Sequence, residues 1–301
     1  MIKIRTMLHR LLIILTIFLS STCLAQSSRA LLVGVQEYPK NSGWSSIHAQ
    51  NDLRIVSKTI REAGFKDIRI LRDAQATHSG IVSSLQRLSR DVNAGDRVLV
   101  FFSCHGQLIT DTNADETSFN PRDKYDEALI PYDAQIAYNW NNKGYKGENH
   151  LTDDELNLLL GKIKDAVGET GQLVVLLDAC HSGDMERSES KSEKALRRGV
   201  KEPFRLPKTA SNRTVQPGEV SWVSISACRD FQNNYECVID GTAYGRLAYS
   251  FSQVYKPGIN SIELVNGIKG LYETLPTSSD EPRQQLHWYI PKGTEQDILF
   301  R

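Results

Sequence analysis

The chain has 301 residues, 40% hydrophobic and 24% charged, with 36 basic and 36 acidic side chains. That is the composition of a globular protein long enough for one large core. The charge balance excludes the basic excess of a nucleic-acid binder and gives no reason to expect attraction to an anionic membrane surface.

Residues 1–25 have the form of an export signal: Lys3, Arg5 and Arg10 lead into the apolar run Leu11–Leu19, and Cys23-Leu24-Ala25 supplies a cleavage site. The competing readings are a membrane anchor and lipidation at Cys23. The apolar run is shorter than the roughly 20 residues of a span, and Thr22 fits poorly before a lipidated cysteine. The mature protein is expected to begin near Gln26, exported to a periplasm or beyond the cell, with no stable membrane insertion after signal removal. It carries 33 basic against 36 acidic residues.

Beyond the signal, Arg29–Gly34 reads as a strand, His48–Ala63 as a helix, Asp67–Leu71 as a strand, Gly80–Val92 as a helix and Val98–Phe102 as a strand. This β-α-β-α-β series implies a parallel sheet covered on both faces. Residues 107–150 break the rhythm with an Asp-, Asn- and Gly-rich excursion holding a short strand at Ala128–Pro131. An excursion of that length is more often functional than idle. Thr152 and Glu155 form a capping-box start for a helix to about Lys164, and Leu173–Leu177 is a fourth strand. The charged stretch 185–219 reads as a mobile surface linker. A strand at Ser221–Ala227, helices at Gly245–Tyr255 and Ser261–Leu275, and a last strand at Gln285–Ile290 complete the chain. The expected organisation is a signal at 1–25 and one domain at 26–301, made of a large part (28–184), the linker (185–219) and a small part (220–301).

Chemistry is signalled where two apolar strands stop. RVLVFFSCHG at 97–106 ends on His105 and Gly106, and LVVLLDACHSGD at 173–184 ends on Cys180. In parallel sheets the carboxyl ends of the strands hold the site. Neighbouring strands would set an imidazole beside a thiol, and an imidazole favours the thiolate of a cysteine whose free pKa is about 8.5 and can protonate an amine leaving group. His181 is a rival base that strand geometry points away from Cys180. Asp178, two residues before Cys180, projects to the same face about 6–7 Å away. Cys104 points to the opposite face and reads as a core residue. Four cysteines outside the signal are too few for a disulfide framework, although Cys228 and Cys237 are close enough to close a small loop.

S-C-H-G at 103–106 and D-A-C-H-S-G at 178–183 resemble the caspase-like cysteine peptidases, most closely metacaspases and their bacterial relatives. Asn51-Asp52, Y-D-E-A-L-I-P-Y-D at 125–133 and I-S-A-C-R-D at 225–230 follow in the same order, so the likeness spans about residues 28–290. His105 and Cys180 lie 75 residues apart, wider than the roughly 50 of animal caspases. The resemblance implies a three-layer α/β/α sandwich around a mostly parallel six-stranded sheet. It implies an endopeptidase in which Cys180 attacks, His105 handles the proton, and the backbone N–H groups of Cys180 and Gly106 hold the oxyanion. It also implies an acidic pocket of Asp52 and Asp178 that selects Arg or Lys before the cut. Arg229 would suit an acidic substrate residue instead. The strand Val223–Cys228 is expected to offer an edge to the substrate backbone, with Ser226 nearest the pocket.

An enzyme cutting after basic residues would find substrates in its own linker, at Arg187, Lys191, Lys194, Arg197, Arg198, Lys201, Arg205 or Lys208. The excursion residues Asp111, Asp115, Glu116, Asp123, Asp126, Glu127 and Asp133 could hold calcium, but no cofactor is required and no Cys/His spacing suggests zinc. The partners are protein or peptide substrates, not nucleic acid, and the sequence does not specify an oligomer. The alternative function is a catalytically silent relative that binds peptides or a partner. Gingipain- or clostripain-like peptidases fit the motif order less well.

Overall fold

The computed structural model describes residues 26–111, 125–138, 144–180, 196–200, 202–206, 220–229, 232–276 and 284–300. The chain runs β1 (Ser28–Gly34), α1 (Ala49–Glu62), β2 (Asp67–Arg72), α2 (His78–Asp91), β3 (Arg97–Ser103), β4 (Gly106–Thr110), β5 (Tyr125–Leu129), β6 (Leu151–Thr152), α3 (Asp153–Val167) and β7 (Gln172–Asp178). It continues with β8 (Val223–Ser226), β9 (Glu236–Ile239), β10 (Thr242–Gly245), α4 (Arg246–Val254), α5 (Ser261–Tyr272) and β11 (His287–Tyr289).

The central sheet has the order β11-β8-β7-β3-β1-β2. All neighbours in it are parallel except β11, which pairs antiparallel with β8. Its apolar strands alternate between two cores, as a period of two requires when both faces are covered. In β3, Val98, Val100 and Phe102 face one core while Leu99 and Phe101 face the other. Helices α2 and α3 cover the first face, and α1, α4 and α5 the second. The architecture is the expected α/β/α sandwich. Each main helix starts and stops within a few residues of its sequence expectation, and Thr152 accepts from the Glu155 N–H at the start of α3.

Two features were not read from sequence: the hairpin β9-β10 and a small sheet β4-β5-β6, of which only one strand was expected, at Ala128–Pro131 where β5 runs over Tyr125–Leu129. Both rest on short strands with weak alternation. The register sets Ser103 at the end of β3 directly opposite Asp178 at the end of β7. Because the chain leaves β1 for β2 on one side and returns to β3 on the other, a crevice opens beyond these carboxyl ends.

The described parts of the linker depart from the expected mobile surface segment. Arg198 and Phe204 are both fully buried, because each has found a partner set that composition does not reveal. Likewise no disulfide joins Cys228 and Cys237, which are both buried. The Cys228 thiol instead reaches the Ala179 carbonyl at 3.8 Å. Phe101, fully buried in the middle of β3, carries much of the second core. Its replacement by Ala is expected to cost about 3–5 kcal/mol, read as a lower denaturation midpoint with an unchanged slope.

Candidate active site

His105 sits between β3 and β4, wedged among aromatic side chains supplied by the loop after β1. It stacks on Trp44 at 4.9 Å between centroids and lies 5.3 Å from the Tyr38 ring. Its backbone N–H donates to the Tyr38 hydroxyl, which in turn donates to the Ile130 carbonyl. The ring Nε2 lies 2.8 Å from the Ser45 carbonyl oxygen. A carbonyl only accepts, so Nε2 carries the hydrogen and Nδ1 keeps its lone pair. That Nδ1 is buried and makes no hydrogen bond. Burial, aided by the Arg198 charge, pushes His105 down to about 4, although the Ser45 and Arg198 carbonyls oppose the shift.

Cys180 lies two residues beyond β7 and is 2% exposed. The Asn234 N–H donates to its sulfur at 2.9 Å. Gly106 meets the Cys180 backbone so closely that a Cβ at position 106 would fall 1.6 Å from the Cys180 carbonyl oxygen. No other residue fits there.

Arg198 fills the space between these groups. Its carbonyl oxygen accepts from the N–H groups of both Gly106 and Cys180, each at 3.1 Å. Its guanidinium enters a closed pocket, with Nη2 on Asp52 Oδ2 at 2.6 Å and on Glu236 Oε1 at 3.0 Å. Nη1 donates to Ser103 Oγ at 2.9 Å and to the Asp178 carbonyl at 3.3 Å, and lies 3.4 Å from Asp178 Oδ1. The next residue, Gly199, passes the thiol: a Cβ built there would stand 3.1 Å from Cys180 Sγ and 2.5 Å from the Gly106 carbonyl oxygen. Imidazole, thiol and two backbone donors thus surround the Arg198–Gly199 peptide.

Each pocket carboxylate also has donors of its own. Asp52 accepts from Ser103 Oγ at 2.7 Å and from the Gly245 N–H at 2.9 Å. Asp178 accepts from Asn234 Nδ2 at 2.7 Å and from the Ala248 N–H, in the first turn of α4, at 2.8 Å. Glu236 accepts from the His48 N–H at 2.8 Å and touches His48 Nδ1 at 2.5 Å. A helix N-terminus suits negative charge. Enclosure nevertheless lifts Asp52 to about 6, with Asp178 adding like-charge repulsion and Arg198 pulling the other way. Burial also works against the Glu236 carboxylate, but Arg198 and His48 outweigh it and hold Glu236 below the usual range. Burial disfavours the charge of Arg198 too, and the three carboxylates more than reverse that, raising it well above its ordinary value.

The structure therefore brings together His105, Gly106, Cys180, Asp52 and Asp178. It does not bring Ser226 to the pocket. Strand β8 is paired on both sides, with β7 and β11, so it has no free edge to offer. The added strand lies elsewhere: Arg197 bridges antiparallel to Tyr235, with the Arg198 N–H donating to the Asn234 carbonyl and the Glu236 N–H to the Leu196 carbonyl. Arg229 is exposed, whereas the carboxylates of the guanidinium pocket are buried. Sequence reading missed Ser103, Asn234 and Glu236. Ser103 was legible in principle as the residue two before His105 on the same face; Asn234 and Glu236 carry no comparable signal. His181 and the excursion acids Asp115, Glu116 and Asp123 lie outside the described residues. Among the described residues no group of three His, Cys, Asp or Glu side chains is arranged for a metal ion.

Residues 27–265 match the family model described as the caspase domain. The chain belongs to the caspase-domain family of cysteine-type peptidases. It is similar to Metacaspase-1B of Aspergillus fumigatus, 24% identical over 291 residues, covering 80% of this chain and 65% of that protein. It is also similar to Metacaspase-1 of Schizosaccharomyces pombe, 24% identical over 314 residues, covering 86% and 68%. The chain thus spans about two thirds of the length of these curated relatives. A crystal structure of a Geobacter sulfurreducens protein shares the fold, with a TM-score of 0.59 at 19% identity over 88% of this chain and 93% of the other.

His105 dictates a pH dependence. Its proton affinity is lower in the folded protein than the model-peptide value of about 6.5. The unfolded chain therefore binds more protons between about pH 6.5 and 4, and this group's contribution to stability is lost as pH falls through that window. Asp52, raised in the fold, acts with the opposite sign. The expected result is that His105→Asn loses less stability than the wild-type protein on going from pH 6.5 to 4, by up to about 3 kcal/mol, measured by denaturant unfolding at each pH.

Proposed function

We propose that the protein is a cysteine endopeptidase that cuts after Arg, and that the Arg198–Gly199 bond of its own linker is its first substrate. The observation that carries this is that one residue satisfies both halves of the site: the Arg198 carbonyl lies on two backbone donors while its guanidinium lies among three carboxylates.

In this reading His105 Nδ1 takes the Cys180 proton, and the sulfur attacks the Arg198 carbonyl carbon. The N–H groups of Gly106 and Cys180 hold the oxyanion, a contact worth about 3 kcal/mol per donor when removed. The Asn234 N–H steadies the sulfur as its charge develops. His105 then gives the proton to the Gly199 nitrogen as the C–N bond breaks, leaving a thioester on Cys180. Water, deprotonated by the same imidazole, releases the Arg198 carboxylate and restores the thiol.

The pocket favours Arg over Lys. The guanidinium divides its donors between Asp52 with Glu236 on one nitrogen and Ser103 with Asp178 on the other, a fork that a single ammonium cannot reproduce. Protein substrates would add a strand along Asn234–Glu236, as Leu196–Arg198 does here. Export directed by residues 1–25 and stimulation by calcium belong to the same proposal.

Incubation with and without calcium, followed by mass spectrometry of the fragments, tests the reading. A new N-terminus at Gly199 is expected. It should vanish in Cys180→Ala and in Arg198→Ala and slow about tenfold in Arg198→Lys. A new N-terminus at another bond, or cleavage that survives Cys180→Ala, would refute it. A bond that stays intact under every condition would favour the silent relative, with Arg198 as a plug.

A further inference from the structure

On the far side of the Arg198–Gly199 peptide the linker does not leave the molecule. It lies parallel along the edge of β4 that β5 does not use, with Gly199 bridged to Gly106 and Phe204 to Ile109. The Phe204 N–H donates to the Leu108 carbonyl at 2.7 Å, the Thr110 N–H to the Phe204 carbonyl at 3.0 Å, and the Leu206 N–H to Thr110 Oγ1 at 3.0 Å. Phe204 itself is fully buried. Its ring meets Tyr145 edge-on at 5.5 Å and His150 at 4.7 Å. The approach of Gly147 completes the wall, since a Cβ there would stand 3.2 Å from the Phe204 ring.

A polar relay supports this wall. Gln107 Nε2 donates to two carbonyls, those of Ile136 and Glu202. Its Oε1 is therefore left to accept from His150 Nε2, 3.1 Å away, and His150 Nδ1 in turn accepts from the Tyr145 hydroxyl at 2.8 Å. The relay locks the orientation of the ring against which Phe204 packs and at the same time holds the backbone of residue 202. A buried aromatic side chain brings more area than any other contact along this stretch. Pro203 immediately precedes it.

We propose that the pocket of Ile109, Tyr145, Gly147 and His150 is a substrate subsite on the leaving side, taking an aromatic side chain six residues beyond the cut bond. It rests on the peptidase reading for the position of the cut. The chain's own Phe204 occupies the subsite in cis and positions Arg198–Gly199 before cleavage. Afterwards it keeps the new N-terminus latched along β4, so that external substrates must compete with residues 199–206 for this edge.

The test uses Phe204→Asp, in which an unpaired carboxylate cannot stay in the apolar pocket and the segment vacates it. A fluorescent peptide with the sequence of residues 199–206 is expected to bind this protein, and its Phe→Ala version at least tenfold more weakly by anisotropy. Hydrolysis of a short Arg-amide, which has no residues on the leaving side, is followed in parallel. Discrimination between the peptides without amide hydrolysis would retain the subsite and reject the peptidase. Equal binding of both peptides, or binding of neither by protein that unfolds cooperatively, would overturn the subsite. In cleaved wild-type protein, amide exchange at Phe204 should stay slow; exchange as fast as in the free peptide would overturn the latch.

Discussion

Three carboxylates meet in a space closed to water, and the site is organised by that constraint. Asp52, Asp178 and Glu236 are each nearly or fully buried, and like charges so enclosed repel one another strongly. One guanidinium reaches all three. Removing a single partner from a buried charge cluster is costly, of the order of 3–5 kcal/mol, because the remaining charges have no water to turn to. The pocket lowers that cost through donors independent of Arg198: the first turn of α4, the Gly245 N–H, Ser103, Asn234 and the His48 N–H. It can therefore stand as a negatively charged recess and still prefer a cation inside it.

The same constraint ties the two parts of the chain together. Asp52 comes from α1, Ser103 from β3, Asp178 from β7 and Glu236 from β9, while Arg198 comes from the segment between β7 and β8. Because the guanidinium and the carbonyl belong to one residue, recognition in the pocket sets the carbonyl on Gly106 and Cys180. Pairing of the charge and placement of the Arg198 carbonyl are a single arrangement. Anchorage by Phe204 beyond the bond and by strand pairing before it fixes the peptide from both sides of the thiol.

How much of this was legible in the sequence differs residue by residue. His105 and Cys180 ended apolar runs that read as inner strands, and Asp178 shared a face with Cys180 by the period of two. Asp52 stood out only through its resemblance to a family segment, since an acidic residue in the first turn of a helix is otherwise ordinary. Ser226 was misplaced because strand alternation reveals which face a residue takes but not whether the strand has a free edge. The linker was misread for a related reason. Its composition is that of a solvated segment, and among its described residues the Arg198 and Phe204 side chains bury only because pockets made by distant elements receive them.

Periodicity and strand-end motifs determined the α/β/α sandwich and drew attention to an imidazole, a thiol and Asp178, because these depend on local repeats of two and 3.6 residues, while Asp52 was marked only by resemblance to a family segment. Tertiary structure alone decided what surrounds them: which edge accepts a strand, which third carboxylate completes the pocket, and which of many basic residues enters it. Those choices depend on contacts between residues as far apart as Asp52 and Arg198, Asn234 and Cys180, or Phe204 and Tyr145, and such contacts leave no periodic trace in the chain.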